Sequence, residues 1–123
     1  MIEAGNQRLV VDTGPDFRMQ MLSQKVKWLD AALMTHEHRD HIAGLDDIRV
    51  FNHLKNGPFD LYCYPRVEKS IRQAFSYIFE NSQYPGIPSI NFHSIGQDVF
   101  EINGLRVQPI EVLHHQLKVC GFR

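Results

Sequence analysis

The stretch "THEHRDH", residues 35–41, decides both the fold class and the chemistry of this chain. Directly after the apolar run "LDAALM" it gathers three histidines and an aspartate within six positions: His36, His38, Asp40 and His41. Imidazole nitrogen and carboxylate oxygen are ligands that zinc and similar divalent ions accept in proteins. The alternative is a solvated loop in which Asp40 caps the helix that follows. The density of ligand-type side chains favours a metal site.

The spacing of these residues predicts how they divide between ions. Alternate residues of an extended chain point the same way, so His36 and His38 can bind one ion together. Asp40 and His41 follow where the chain bends into a helix, so they can face a second ion nearby. Two ions about 3.5–4 Å apart hold a water between them, lower its pKa and stabilise charge on a displaced oxygen. The motif therefore predicts a hydrolytic centre.

Length and composition are those of one globular domain. The chain has 123 residues, 43% of them hydrophobic and 22% charged, with a net charge of −1. It has no run of lysine or arginine, so the sequence offers no electrostatic footprint for nucleic acid. No apolar run approaches the ~20 residues that span a bilayer, and the N-terminus lacks a signal-peptide pattern. We therefore expect a cytoplasmic protein without a membrane partner, whose two cysteines are free thiols.

Apolar runs separated by breakers predict alternating strands and helices. Strands are expected within residues 8–17, 30–35 and 59–64. One helix is expected from about Asp40, with apolar positions recurring as far as Leu54. These positions are Ile42, Leu45, Ile48, Phe51 and Leu54.

A second helix and a hairpin complete the pattern. Pro65 suits the first turn of the second helix, whose apolar stripe is Val67, Ile71, Phe75 and Ile78 and which is expected to fray near Asn81. Asn103-Gly104 suits the two-residue type I′ turn of a hairpin.

The order of these elements predicts an α/β layered sheet. In such folds the loops at the carboxyl ends of the strands gather at one edge. "THEHRDH" follows a predicted strand, and the second arm of the hairpin, "LRVQPIEVL", leads directly into His114 and His115. The two histidine groups are therefore expected to meet in space.

These features resemble the metallo-β-lactamase superfamily of metal hydrolases. "THEHRDH" is similar to its HxHxDH signature, "VVDTGPDFR" to the strand and loop before that signature in one branch, and "HIAGLDDIR" to the helix start after it. "VLHHQLKVCGFR" resembles a later segment that contributes a further histidine. The branch is that of small bacterial hydrolases, which includes the phosphonate-pathway cyclic phosphodiesterase. The resemblance implies part of a four-layered αββα sandwich, one βαβ-like half plus a hairpin.

The resemblance also implies a ligand set for the first ion. It consists of His36, His38 and one of His114 or His115. The family segment places a glycine seven residues after the ligand, and Gly121 stands seven after His114. His114 is therefore preferred, with His115 as the alternate.

By the same resemblance, Asp40 and His41 hold the second ion, and Asp40 is the catalytic residue that orients the nucleophile. Asp12 resembles a buried aspartate that braces the ligand loop, since a carboxylate bonded to a histidine N–H fixes its ring. The alternative for Asp12 is a simple turn former ahead of Gly14.

Residues 1–123 would then form an incomplete domain of the family. Its first strand or strands would precede Met1, and its C-terminal half would follow Arg123 with the remaining ligands of the second ion. An incomplete sandwich exposes sheet surface that is normally covered. A homo-oligomer or a domain swap is therefore expected.

The implied activity is hydrolysis of a phosphodiester in a small-molecule substrate, by a hydroxide that bridges the metal ions. Zinc is expected, although manganese or iron also accept these ligands. The chain alone need not be active. Other activities of the superfamily remain open: a tRNA 3′-processing ribonuclease, which requires a basic RNA-binding surface, or a thioester or lactone hydrolase. An alternative of another class is a non-catalytic metal-binding module with one ion.

Overall fold

A mixed five-stranded sheet forms the centre of the protein. The structure is a computed structural model that describes residues 1–80 and 86–123. The strands, in their spatial order, are Ile2–Ala4 (β1), Gln7–Val11 (β2), Ala31–Leu33 (β3), Phe59–Cys63 (β4) and Ile90–Ser94 (β5). β1 pairs antiparallel with β2, and the strands from β2 to β5 are parallel. The sheet is therefore that of an α/β fold, as the sequence predicts.

Short helices connect these strands. They are Phe17–Ser23 (α1), Arg39–Ile42 (α2), Arg49–Lys55 (α3), Pro65–Ala74 (α4) and Ser76–Phe79 (α5), with a 3₁₀ turn at Leu45–Ile48. Their apolar side chains bury one face of the sheet, where Ala32 and Leu61 have no exposed surface. In the described residues no helix is long and apolar enough to cross a membrane.

Two hairpins follow the sheet. The first consists of Phe100–Ile102 (β6) and Leu105–Val107 (β7), and the second of Pro109–His114 (β8) and Leu117–Phe122 (β9). Ile102 and Val107 pack against Leu9, Ala31 and Leu33 on the sheet face opposite the helices. β3 is consequently buried on both faces, as its continuous apolar run predicts.

The predicted hairpin turn is confirmed, but its second arm is shorter than expected. Asn103 and Gly104 have φ values of 47° and 86°, as a type I′ turn requires. The arm changes partner at Gln108, which exchanges two backbone hydrogen bonds with Arg123, of 2.7 and 3.0 Å. The prediction of one strand running from Leu105 to the histidines was therefore wrong. Those residues divide between two separate hairpins.

The helix predicted from Asp40 to Leu54 is broken at Gly44. A Cβ atom at Gly44 would lie 2.2 Å from the carbonyl oxygen of Gly14, so the backbone approaches too closely for any side chain. Gly44 has φ −89° and ψ 10°, and the chain continues as a 3₁₀ turn and then as α3. Four of the five predicted apolar positions are buried, but Leu54 is 54% exposed and was wrongly assigned to the core.

The second predicted helix is confirmed as far as the structure describes it. Pro65 opens α4, and Val67, Ile71, Phe75 and Ile78 are buried. The backbone breaks at Phe75, with φ −123° and ψ 43°, so that α5 is a separate turn. Its predicted end near Asn81 lies outside the described residues.

Both cysteines are free and buried, as expected. Burial raises the pKa of the Cys63 thiol to about 12.

Candidate metal centre

The loop that leaves β3 carries the first two histidines of the motif. His36 is buried and His38 is exposed, yet Nε2 of His36 lies only 3.1 Å from Nδ1 of His38. Two nitrogens bound to one tetrahedral zinc at ~2.0–2.1 Å stand about 3.3–3.4 Å apart. The two imidazoles thus converge as neighbouring ligands of a single ion do.

His114 joins these two residues from the end of β8. Its ring centroid is 5.7 Å from that of His36 and 5.7 Å from that of His38. One ligand nitrogen from each of the three rings lies within 4.8 Å of the other two. His115 occupies the turn of the hairpin, with φ 57°, and is not part of the cluster. Of the two candidates, the structure brings His114 to the motif.

Asp40 and His41 lie beside the three histidines. The ring centroid of His41 is 4.0 Å from that of His36, and its Nε2 is 3.6 Å from Oδ2 of Asp40. The Asp40 side chain is 75% exposed at the start of α2. In the described residues no group of three ligand-type side chains within 4.8 Å of one another includes both Asp40 and His41. Asp40 and His41 therefore form only part of a second donor set.

Asp12 connects the turn after β2 to the motif. Its Oδ1 accepts a hydrogen bond of 2.8 Å from the backbone N–H of Thr35, and its Oδ2 accepts one of 2.7 Å from the Thr35 hydroxyl. Nδ1 of His41 is 2.7 Å from the same Oδ2, so it must donate to the carboxylate. Asp12 also has φ 59°, in the left-handed region that aspartate tolerates. The residue thus forms the turn and contacts the ligand loop, which unites the two roles considered for it.

The same network fixes the orientation of His36. The Thr35 hydroxyl has one proton, which it donates to Asp12, so its oxygen accepts from Nδ1 of His36 at 2.8 Å. His36 and His41 therefore both carry their proton on Nδ1, so Nε2 of each ring is unprotonated. A hydrogen-bonded N–H on the far side of the ring is the usual arrangement of a metal-binding histidine.

Close backbone contacts hold α2 against the turn that contains Asp12. Thr13 N–H donates to the carbonyl oxygen of His41 at 2.8 Å, and Gly44 N–H donates to that of Thr13 at 2.8 Å. A Cβ atom at Gly14 would lie 2.7 Å from the carbonyl oxygen of Asp40. Glycine at this position thus allows the turn and α2 to touch, which places Asp12 within reach of His41.

The surroundings of His36 favour its neutral form. Burial lowers the pKa of His36, and the neighbouring His41 and His38 lower it further, against a smaller opposing effect of Asp12. A histidine must be neutral to bind a metal ion. The three converging imidazoles, of which His36 has a fixed tautomer and a lowered pKa, fit a divalent ion.

Sequence reasoning missed one ion pair at this site. Glu37 stands between the two histidines, and its carboxylate contacts the guanidinium of Arg66 at the start of α4. The sequence indicated only that side chains alternate in direction along an extended loop, which turns Glu37 away from the side on which His36 and His38 converge. The partner could not be identified, because Arg66 is 29 residues away along the chain.

These features define an α/β domain with a histidine cluster at the carboxyl end of a central strand. Residues 7–123 match the beta-lactamase superfamily domain, and the chain belongs to that superfamily. The resemblance seen in the sequence is thereby confirmed, together with the fold class. Hydrolysis that depends on a metal ion is the general chemistry of this superfamily.

Solved structures show the same fold. A crystal structure described as a new diphosphatase from the PhnP family has a TM-score of 0.85 and 31% sequence identity over 98% of this chain. Zn²⁺-bound PqqB from Methylobacterium extorquens has a TM-score of 0.66 and 19% identity over 99% of this chain, which shows the fold alone. The chain covers 46% and 44% of these two structures, so it spans about half of their length.

Two curated proteins are also similar. An octanoyltransferase from Porphyromonas gingivalis is 35% identical over 124 aligned residues, which cover all of this chain and 25% of that protein. A ribonuclease Z from a Bradyrhizobium strain is 38% identical over 47 residues, which are 37% of this chain and 16% of that protein. This chain therefore spans a quarter or less of these proteins.

Proposed function

We propose that this protein is a metal-dependent phosphodiesterase whose first ion is held by His36, His38 and His114. The observation that carries the proposal is the convergence of the three ligand nitrogens within 4.8 Å. The similarity to a PhnP-family diphosphatase, at 31% identity, supports a phosphorus ester as the bond that is cleaved. The substrate is a small molecule, since the net charge of −1 provides no general attraction for a polyanion.

Zinc is the proposed metal, because a set of three imidazoles is typical of catalytic zinc sites. Manganese and iron remain compatible with the same donors. A divalent ion supplies Lewis-acid chemistry there: it lowers the pKa of water and offsets charge that develops on phosphoryl oxygens. Asp40 and His41 are proposed to contribute to a second ion.

The residues of the chain have separate tasks in this proposal. Thr35 and Asp12 orient the rings of His36 and His41 and keep their Nε2 atoms unprotonated. The Asp40 carboxylate, exposed beside the cluster, is placed to accept a hydrogen bond from the attacking water and to orient it. Asp40 is therefore the proposed catalytic residue.

The test is hydrolysis of a chromogenic aryl phosphodiester by the purified protein supplied with zinc. Asp40→Asn keeps the three-histidine set, so it should retain the first ion and lose most of the turnover. His115→Ala is the matched control on the hairpin and should keep both. Turnover that survives in the Asp40→Asn variant would contradict the role of Asp40. Tight binding of one ion with no turnover of any ester would favour the non-catalytic metal-binding module.

A ribonuclease is the second candidate, because 47 residues are 38% identical to a ribonuclease Z. Such an enzyme needs a basic surface for RNA, whereas acidic residues outnumber lysine and arginine here by 14 to 13. Cleavage of a tRNA precursor in preference to the small aryl diester would favour this second candidate. Hydrolysis of a thioester or a lactone in preference to the aryl diester would favour those other activities of the superfamily.

Two further expectations remain proposals. We expect self-association or a domain swap, and exposed apolar residues on β8, Ile110, Val112 and Leu113, are consistent with it. Light scattering of the purified protein measures this directly. A cytoplasmic location is the other proposal, and it is supported by the free thiols of Cys63 and Cys120.

A further inference from the structure

Arg66 touches both elements that carry the three histidines. It stands in the first turn of α4, and its guanidinium contacts the Glu37 carboxylate with one nitrogen and the carbonyl oxygen of Lys118 with another. Glu37 belongs to the ligand loop after β3, and Lys118 belongs to β9. One side chain thus bridges the loop and the hairpin.

The two contacts lie next to the ligands themselves. Glu37 is the residue between His36 and His38, so a fixed Glu37 side chain fixes the backbone from which both imidazoles project. On the hairpin, Lys118 is paired with Leu113, one step from the pairing of His114 with Leu117. Arg66 therefore contacts the residue between His36 and His38, and a residue whose strand partner, Leu113, directly precedes His114.

Burial anchors the base of the hairpin, at Pro109, Cys120 and Phe122, more than its tip, where His114 lies. In the described part of the chain β8 and β9 form a two-stranded sheet of their own, which pairs with none of the other strands. An isolated two-stranded hairpin is only marginally stable. One backbone bond, from Cys120 N–H to the Thr35 carbonyl oxygen at 3.0 Å, joins it to the ligand loop. A second link near the tip would therefore have a large effect on where His114 lies.

We infer that Arg66 is a positioning residue for the metal centre: by bridging the Glu37 carboxylate and the Lys118 carbonyl group, it holds His114 at ligand distance from His36 and His38. This inference rests on the proposed metal site. It does not depend on which substrate the protein hydrolyses.

The chemistry of the bridge requires arginine. A guanidinium is planar and offers several N–H donors in fixed directions, so it can bind a carboxylate and a carbonyl oxygen at the same time. The pair is also partly shielded, since the Arg66 and Glu37 side chains are 35% and 23% exposed. A lysine at this position would keep the charge, but its single ammonium group does not present donors in two fixed directions.

The test is a titration of the protein with Co²⁺, followed by the visible absorption that reports both affinity and coordination geometry. Arg66→Ala should weaken Co²⁺ binding about 10- to 100-fold, the range found when a residue that orients metal ligands is removed. Arg66→Lys should recover only a small part of this loss, and Glu37→Gln should weaken binding in the same direction.

Arg72→Ala is the matched control, because Arg72 lies on the same helix and pairs with Glu68 at 2.8 Å away from the ligand loop. It should change Co²⁺ affinity less than about twofold, since the described contacts of Arg72, with Glu68, Phe79 and Phe92, involve neither the ligand loop nor the hairpin. The thermal stability of each variant without metal is measured in parallel. Arg66→Lys and Glu37→Gln keep the inference testable if Arg66→Ala does not fold.

The outcomes separate the inference from the proposal on which it rests. Weaker binding and an altered cobalt spectrum in the Arg66 variants, with a folded apoprotein, would support the positioning role. Unchanged affinity and spectrum in a folded Arg66→Ala variant would overturn that role while leaving the metal site intact. If the wild-type protein gave no cobalt spectrum at all, the metal site and the positioning role would both be overturned.

Discussion

The loop after β3 and the hairpin formed by β8 and β9 supply histidines to one cluster, but they differ in how they are held. The loop leaves a strand whose residues are fully buried, and its conformation is fixed by three contacts with Asp12. The hairpin pairs only with itself among the described strands and exposes much of β8, where Leu113 is 71% exposed. Two of the histidines thus lie on a loop that is anchored to the core, and the third lies on a hairpin whose strands pair only with each other among the described strands.

This difference separates stability from metal affinity. Substitutions in the buried sheet should change the free energy of unfolding, because the core provides it. Substitutions along the hairpin should change metal affinity more than stability, because they alter how often His114 meets the other two ligands. The predictions below test this separation.

The largest expected effect is a contrast in stability between two leucines. Leu61→Ala, in the centre of β4, should lower the free energy of unfolding by about 2–5 kcal/mol, because it leaves a cavity in a fully buried position. Leu113→Ala, on the exposed side of β8, should change it by less than about 0.5 kcal/mol. Denaturant unfolding of the metal-free protein measures both. Equal losses at the two positions would show that the hairpin is part of the cooperative core.

The next contrast concerns the two adjacent histidines of the hairpin. His114→Ala should weaken zinc binding more than about 100-fold, because losing a ligand exceeds the 10- to 100-fold effect of losing a residue that only orients one. His115→Ala should leave the affinity nearly unchanged, since His115 lies in the turn outside the cluster. Competition with a chromophoric chelator gives both values. If His115→Ala weakened zinc binding more than His114→Ala, the hairpin turn would have to rearrange on binding and His115 would be the ligand.

Asp12→Asn tests the contacts that hold the loop. Asparagine tolerates the left-handed backbone that Asp12 adopts, so the turn should survive. It has one acceptor oxygen in place of two, so it cannot accept from Thr35 twice and from His41 as well. Zinc affinity should fall about 10-fold, towards the lower end of the range for such orienting residues. Asp16→Asn, an exposed neighbour, serves as the control and should bind zinc as the wild type does.

The smallest expected effect lies on the sheet, far from the metal ligands, at Asp60. Burial by itself would raise the pKa of this carboxyl group, but hydrogen bonds from His93, Asn91 and Lys55 lower it below its usual value. Because the folded-state pKa is depressed, the carboxylate stabilises the fold above its unfolded-state pKa. That contribution is lost as the pH falls through the folded-state value.

Asp60→Asn should therefore lower the free energy of unfolding by about 1 kcal/mol at pH 7, the usual size for hydrogen bonds of a charged group that is partly exposed. The difference from the wild type should shrink as the pH falls below the ordinary range of an aspartate. Denaturation curves from pH 7 to pH 3 measure it. If the difference in free energy of unfolding between Asp60→Asn and the wild type did not change with pH, the charge of Asp60 would not be the source of its stabilising effect.

The sequence predicts those parts of the fold that depend on local pattern. The buried strand β3, the strand β4 and the Asn103-Gly104 turn follow from apolar runs and from residues that favour positive φ. The close approach of Gly44 to Gly14 does not, because these two residues are distant along the chain. The division at Gln108 was missed for the same reason, since its partner Arg123 lies 15 residues further on.

The candidate site shows the same limit. The sequence motif identifies four candidates, because ligand-type residues at short spacing can be recognised without a structure. They are His36, His38, Asp40 and His41. The choice between His114 and His115 depends on the direction of one hairpin turn, which only the structure provides. The Arg66 bridge depends on three separate elements and has no signal in the sequence.

The most direct test of the account is the metal content of the purified protein, measured by elemental analysis after zinc is offered at neutral pH. The wild-type chain should hold one ion tightly, and the His36→Ala/His38→Ala variant should hold none while remaining folded. A second ion in the wild type would show that Asp40 and His41 find further ligands. A wild-type protein without metal, or a variant that keeps its ion, would contradict the claim that these three histidines form a metal centre.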